Sequence, residues 1–258
     1  MSDRSLQDEL IRALSDASFR ASSAWRAKDL ADPERLERFA RFLARHYYLE
    51  RVVHFFKYSR ALAKVTGVRP EEALRSLAFD ALLPAMVLGG RAAAAAVAAL
   101  VVQHIAAGRG SGAVPYLGDL LRYEEAMMVV EAGPRRWSGP DDRAAPADGL
   151  DRWPALAEGA RVLEFGFDLP GVLPRLLGRW TEPPVAVPGR SWLLFARSAR
   201  GRVAVASLNE PVARVLGQAD GTRTLADLAA DAGLRPEAFR QTLASLTELG
   251  AVRFPIGS

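Results

Sequence analysis

Residues 137–154 read WSGPDDRAAPADGLDRWP, a run of proline, glycine and aspartate with no apolar periodicity. A run like this has little to bury and behaves as a linker or surface loop. It separates two textures. Before it, apolar residues recur at helical spacing almost throughout; after it, short strand-like runs appear. One regular architecture cannot carry both patterns. The chain is therefore expected in two parts, a helical domain at 1–136 and a mixed domain at 156–258, joined by 137–155. With 258 residues there is enough chain for two cores.

The first part reads as successive helices. Residues 5–28 form an amphipathic one. DPERLERFARFLARHYYLERVVHFFKYSRALAKVTG opens with Asp32 as N-cap, Pro33 in the first turn and acidic Glu34 behind it. That helix is expected to run, with a bend, to about Gly67. A short helix from Pro70 follows, then an alanine-rich one from about Gly90 to Ala107. PYLGDLLRYEEAMMVVEAG gives a last helix, closed by Gly133 and Pro134. The most apolar stretch, ALLPAMVLGGRAAAAAVAALVVQHIAAG, is broken by Pro84, Gly89, Gly90 and Arg91. It reads as buried helices and not as a membrane span. The polar start MSDRSLQDELIRAL is unlike a signal peptide. There is no cysteine, so disulfides, thiolate metal sites and a cysteine nucleophile are excluded. These features fit a cytoplasmic protein.

The second part carries strands at RVLEFGFDL (161–169) and SWLLFARS (191–198). RVAVAS (202–207) follows the turn ARG, which makes a hairpin of the last two. Three short helices come next, at 210–217, 224–232 and 236–249, and AVRF (251–254) closes as a strand. Strands followed by three helices is the winged-helix order. The fold class is thus mainly α, with an N-terminal helical domain and a C-terminal α+β winged-helix domain. GVRPEEALRSL (67–77) echoes GLRPEAFRQTL (233–243), but two copies of one helix-joining device are not a repeat architecture.

Candidate chemistry centres on RHYYLERVVHFFKYSR, where His46, Glu50 and His54 follow one another at steps of four. Phe39, Leu43 and Val53 lie on the same side, so the line is expected to face packed surface. His46 and His54 are roughly 12 Å apart along the axis, too far for one ion. A pair could chelate, yet the only other histidine is His104, and the Glu-x-x-His spacing of carboxylate-bridged bundles is absent. The expected role is an ion pair or a contact with a partner. Glu124 and Glu125, with Arg122, Tyr123 and Glu131 nearby, are expected to form a helix rim that salt-bridges the arginine-rich helix at 35–60. GRGSG (108–112) follows a helix, whereas phosphate loops follow a strand. No Gly-x-Ser-x-Gly elbow occurs.

The C-terminal part offers two uses. A DNA reader needs basic and amide side chains on its recognition helix. PEAFRQTLASLTELG supplies Arg240 and Gln241 but also Glu237 and Glu248, which argues against nucleic acid. A peptide binder would add an extended peptide to the sheet edge at 202–207. Arg202, Val203 and Val205 would then flank it, with Phe239, Arg240, Leu243 and Leu246 forming the groove wall.

The hairpin, DGTRTLADLA and the closing LTELGAVRF resemble the peptide-recognition domains of ribosomal-peptide modification pathways, over about 70 residues. FARFLARHYYLERVVHFFKYSRALAKVTG and YLGDLLRYEEAMMVVEAGP extend the likeness. The whole chain resembles partner subunits of multinuclear non-haem iron oxidases, as in methanobactin and thiaglutamate biosynthesis. The resemblance implies a non-catalytic chain without a cofactor of its own. Iron and the oxidation of a peptide cysteine would belong to a separate enzyme, while this chain holds the precursor's leader peptide. His46, Tyr47, Glu50, His54 and Tyr123 would then dock the enzyme. Two other readings are a winged-helix transcription regulator and a stand-alone metalloenzyme using His46, Glu50 and His54.

Overall fold

The computed structural model describes residues 3–28, 32–132, 153–198 and 201–254. It shows a mainly α-helical N-terminal region and a smaller mixed α/β C-terminal region. By packing, the chain divides into residues 1–128 with 176–183, and residues 129–175 with 184–258. Residues 176–183 join the helical unit for a visible reason. The Lys64 ammonium donates to the Trp180 carbonyl at 2.9 Å and lies 3.5 Å from the centre of its ring. Most of the expected linker, 137–155, falls outside the described residues. Among those that are described, no helix is long and apolar enough to cross a membrane.

The helical unit begins with α1 (Asp3–Ser15), α2 (Ala17–Arg20) and α3 (Ser23–Arg26), where one helix was expected over 5–28. Local capping breaks it. Asp16 accepts from the amides of Ser18 and Phe19, and Ser22 accepts from that of Trp25. Side chains that can cap compete with continued helix. The Ser18 hydroxyl and both amides hold the Asp16 carboxyl below its ordinary value. The helix α4 (Pro33–Phe55) starts as expected, with Asp32 accepting from the Arg35 amide at 2.8 Å. The helical path reaches Gly67 with a bend, as expected, but as three helices instead of one. Helix α4 breaks at Phe56 and is followed by α5 (Lys57–Ala61) and α6 (Ala63–Thr66), the latter ended by Gly67 at φ +79°.

A 3-10 turn at Pro70–Arg75 leads to α7 (Leu77–Leu82), capped by Ser76, then to α8 (Arg91–Ala106) and α9 (Leu117–Glu131). Helix α8 buries Ala94, Val97, Ala98, Val101 and Ile105, spaced as one helical face. Its small side chains let neighbours approach closely. The glycines after it have the same purpose. A Cβ on Gly110 would lie 1.8 Å from the Val65 carbonyl oxygen, and one on Gly108 2.7 Å from that of Thr66. GRGSG is thus a close backbone crossing over the end of α6.

The second unit holds β1 (Ala155–Leu156), β2 (Arg161–Phe167), α10 (Leu169–Leu176, reaching into the residues that pack with the helical unit) and β3 (Pro188–Arg197). After these come β4 (Val203–Leu208), α11 (Glu210–Gln218), α12 (Leu225–Asp231), α13 (Pro236–Glu248) and β5 (Val252–Arg253). Strands β2, β3 and β4 form an antiparallel sheet in that order, and β1 pairs antiparallel with β5. The β3–β4 hairpin and the three closing helices lie where the sequence places them. Helix α10 and strand β1 were not foreseen. Leu193 through Ala196 are all buried, so both faces of the central strand are covered. Leu194 and Ala196 join Val162, Ala206 and Leu208 against α11–α13, with Val215, Leu228, Phe239, Leu243 and Leu246 among the partners. Leu193 and Phe195 alternate to the other face, where Phe195 meets Phe165 at 6.3 Å between ring centres.

Candidate functional site

The His46–Glu50–His54 line faces outward, which corrects the expectation of a packed surface. Helix α4 buries Ala40, Ala44, Tyr48, Val52 and Phe55, and these occupy the opposite side. The side chains of His46 and Glu50 are 59% and 71% exposed, with Nε2 and Oε1 3.3 Å apart. His54 is also exposed and stands edge-on to Phe55. His104 is elsewhere, on α8, 3.8 Å from Glu72. Among the described residues, no group of three or more histidine or acidic side chains is arranged to hold a metal ion.

The other proposed docking residues separate by depth. Tyr47 is half-buried beneath the Arg51 guanidinium, which lies 4.5 Å from its ring centre. Tyr123 is buried beside Tyr58, at 6.3 Å between ring centres, and therefore supports the core instead of a surface. Burial, then Tyr58 and Glu124, push its phenol up to about 12. Burial likewise raises the Tyr48 phenol.

Glu124 is where the structure departs most from the sequence reading. It was expected on a rim facing arginines, yet it is fully buried. Its Oε1 accepts from the Tyr58 amide at 2.7 Å and the Ser59 amide at 3.2 Å. These are the second and third residues of α5, whose N-cap, Phe56, has no capping side chain. Glu124 supplies the missing cap from α9, meeting donors a helix start would otherwise leave bare. Its Oε2 is buried and has no hydrogen-bond partner among the described residues. Burial pushes its carboxyl up to about 8; the Ser59 and Tyr58 hydrogen bonds and the Lys57 charge pull the other way without prevailing. The sequence held a signal. Leu117, Leu120, Leu121 and Met128 place Glu124 within one apolar stripe.

At the C-terminal unit, β4 is an end strand, paired only with β3 among the described residues. Arg202 and Arg240 are exposed. Phe239, Leu243 and Leu246 are buried within the core, so none of them lies on open surface. Register also redistributes the strand residues. Val203 pairs with Arg197 and Val205 with Phe195, on the face away from α11–α13. Ala204, Ala206 and Leu208 point toward the helices. The turn is closed by Gly201 at φ +76° and by the Ser198 amide donating to the Arg202 carbonyl at 2.9 Å. No protein-family model matches the chain, and no curated protein matches it.

Proposed function

We propose that the chain is a non-catalytic subunit that captures a ribosomal precursor peptide by strand addition. The peptide is presented to a separate multinuclear iron enzyme that oxidises a peptide cysteine. The observation that supports this reading best is the outer edge of β4, Val203–Leu208, unpaired among the described residues. An end strand offers alternate backbone N–H and C=O groups to an incoming strand. Arg202 and Arg240 are exposed and attract acidic leader residues. In this reading the C-terminal unit is a winged-helix peptide-recognition domain. Apolar peptide side chains on the helix side would meet Ala204, Ala206 and Leu208, while Phe239, Leu243 and Leu246 hold α13 in place from below. Binding raises the local concentration of the peptide at the partner's iron and fixes its register. The exposed residues of α13, among them Arg240, Gln241, Ser245 and Glu248, form no basic run, so nothing favours the DNA-binding alternative.

The test is a backbone scan. A synthetic leader-type peptide, extended and acidic with alternating apolar residues, is labelled and titrated against the full protein by fluorescence anisotropy. N-methylation at single leader positions should weaken binding at every second residue, by about tenfold where an edge hydrogen bond is lost. Arg202→Glu should weaken it severalfold, and less so at high salt. A flat N-methylation profile would exclude strand addition.

A further inference from the structure

We propose that the outer face of α4 is the docking surface for an acidic amphipathic helix of a partner protein. This deepens the reading of the helical unit as a docking unit and rests on it. Phe39, Phe42, His46 and Leu49 are spaced three, four and three residues apart, the repeat by which one helix packs along another. Phe39, Phe42 and Leu49 are 49%, 62% and 39% exposed, and the His46 side chain 59%. A soluble surface rarely leaves such a row uncovered unless something binds there. The rings are already ordered. Phe42 lies near-parallel to Phe39 at 6.4 Å and to His46 at 6.2 Å between centres. The opposite face is anchored in the core through Ala44, Tyr48 and Val52, so the stripe sits on a rigid element.

Charge selects the occupant. The exposed residues beside the aromatic row include Arg35, Arg38 and Arg41. Among the described residues, Arg38 and Arg41 pair along the helix, with Glu34 at 3.4 Å and Glu37 at 3.1 Å. Surface pairs of that kind are weak and easily exchanged for better ones. A second copy of this chain fits poorly. Antiparallel pairing about a two-fold axis sets the arginine flank against itself. Parallel pairing brings Arg45 toward Glu50 of the other copy, but Arg45 is already held by Asp80 and the Leu74 carbonyl. A helix with leucine-like residues at heptad spacing and glutamates on its flanks satisfies both the apolar row and the arginines.

The probe is a labelled 28-residue synthetic helix with leucine at heptad core positions and glutamate on both flanks. The comparison peptide carries lysine in place of glutamate. Titrated against the full chain, the glutamate peptide should bind at least tenfold tighter than the lysine peptide. Phe42→Glu should abolish that preference and weaken binding at least tenfold. Leu77→Glu, at a residue still more exposed but off the row, should change nothing, and both variants should melt like the parent. Equal affinities, no binding, or indifference to Phe42→Glu would overturn the proposal. So would tighter binding of a single-stranded oligonucleotide, or a concentration-dependent dimer of this chain that Phe42→Glu dissolves. No precursor peptide is present, so failure here leaves strand addition at β4 standing, and failure there leaves this surface standing.

Discussion

Gly110→Ala should cost the helical unit about 3 kcal/mol and lower its melting midpoint by roughly 10 °C. The new Cβ would lie 1.8 Å from the Val65 carbonyl oxygen and 2.9 Å from its carbonyl carbon. Those are backbone atoms of α6, and they cannot rotate aside as a side-chain tip would. Relief requires moving the loop away from α6, which breaks the Gly110 amide's 3.3 Å hydrogen bond to the Thr66 carbonyl. The Gly108 amide caps the end of α8 through Ile105, so the displacement spreads to that helix too. Gly112 provides the internal control. It belongs to the same GRGSG run, yet a Cβ there meets nothing within 4 Å. Gly112→Ala should therefore lie within about 0.5 kcal/mol of the parent. Equal melting midpoints for the two variants would remove the close-crossing account of this loop.

What could be read in advance follows a physical line. Asp32 and Pro33 are local signals, and α4 starts at them. The β3–β4 hairpin and the starts of α11 and α12 rest on equally local chemistry, with Asn209 and Thr224 each capping its helix. The misreadings have two sources, local caps that override a continuing period and contacts from elsewhere in the chain. Residues 5–28 keep a helical apolar period through Asp16 and Ser22, so periodicity alone continues a helix that capping interrupts. The break at Phe56 has no local cause of the proline or glycine kind. It depends on Glu124, 66 residues away for its Tyr58 contact. Which side of α4 faces the core was misjudged because both sides carry aromatics. Tyr48 and Phe55 face in, while Phe39 and Phe42 face out. Only the alanines Ala40 and Ala44, where a neighbour can approach closely, mark the inner face. On β4 the strand was legible but its facing was not, because valine and alanine alternate without a polar side.

Glu124→Ala should cost the helical unit about 3 kcal/mol near pH 5, where the folded carboxyl is neutral. It strips the acceptor from the Tyr58 and Ser59 amides and leaves a void against α5. Glu124→Gln is the informative companion. Its carbonyl can accept from the same two amides while carrying no charge. The parent's carboxyl titrates near 8 when folded, against an ordinary value near 4.5. The folded state therefore binds this proton more tightly than the unfolded chain does. Glu124's contribution to stability is greatest below the unfolded pKa of about 4.5 and declines as pH rises. The decline ends near pH 8, where the folded group ionises as well, and its slope is about 1.4 kcal/mol per pH unit at most. Carboxyls held low, such as Asp16 and Glu37, act with the opposite sign and at more acid pH. Denaturant titrations from pH 5 to pH 9 isolate the effect. Glu124→Gln should flatten the slope between pH 5 and 8 and surpass the parent's stability at pH 8 and above. Near pH 5 the two should converge, because the parent's carboxyl is then neutral when folded. A parent slope that survives the glutamine substitution would mean that Glu124 is ionised in the fold, held as a charged cap by the two amides of α5.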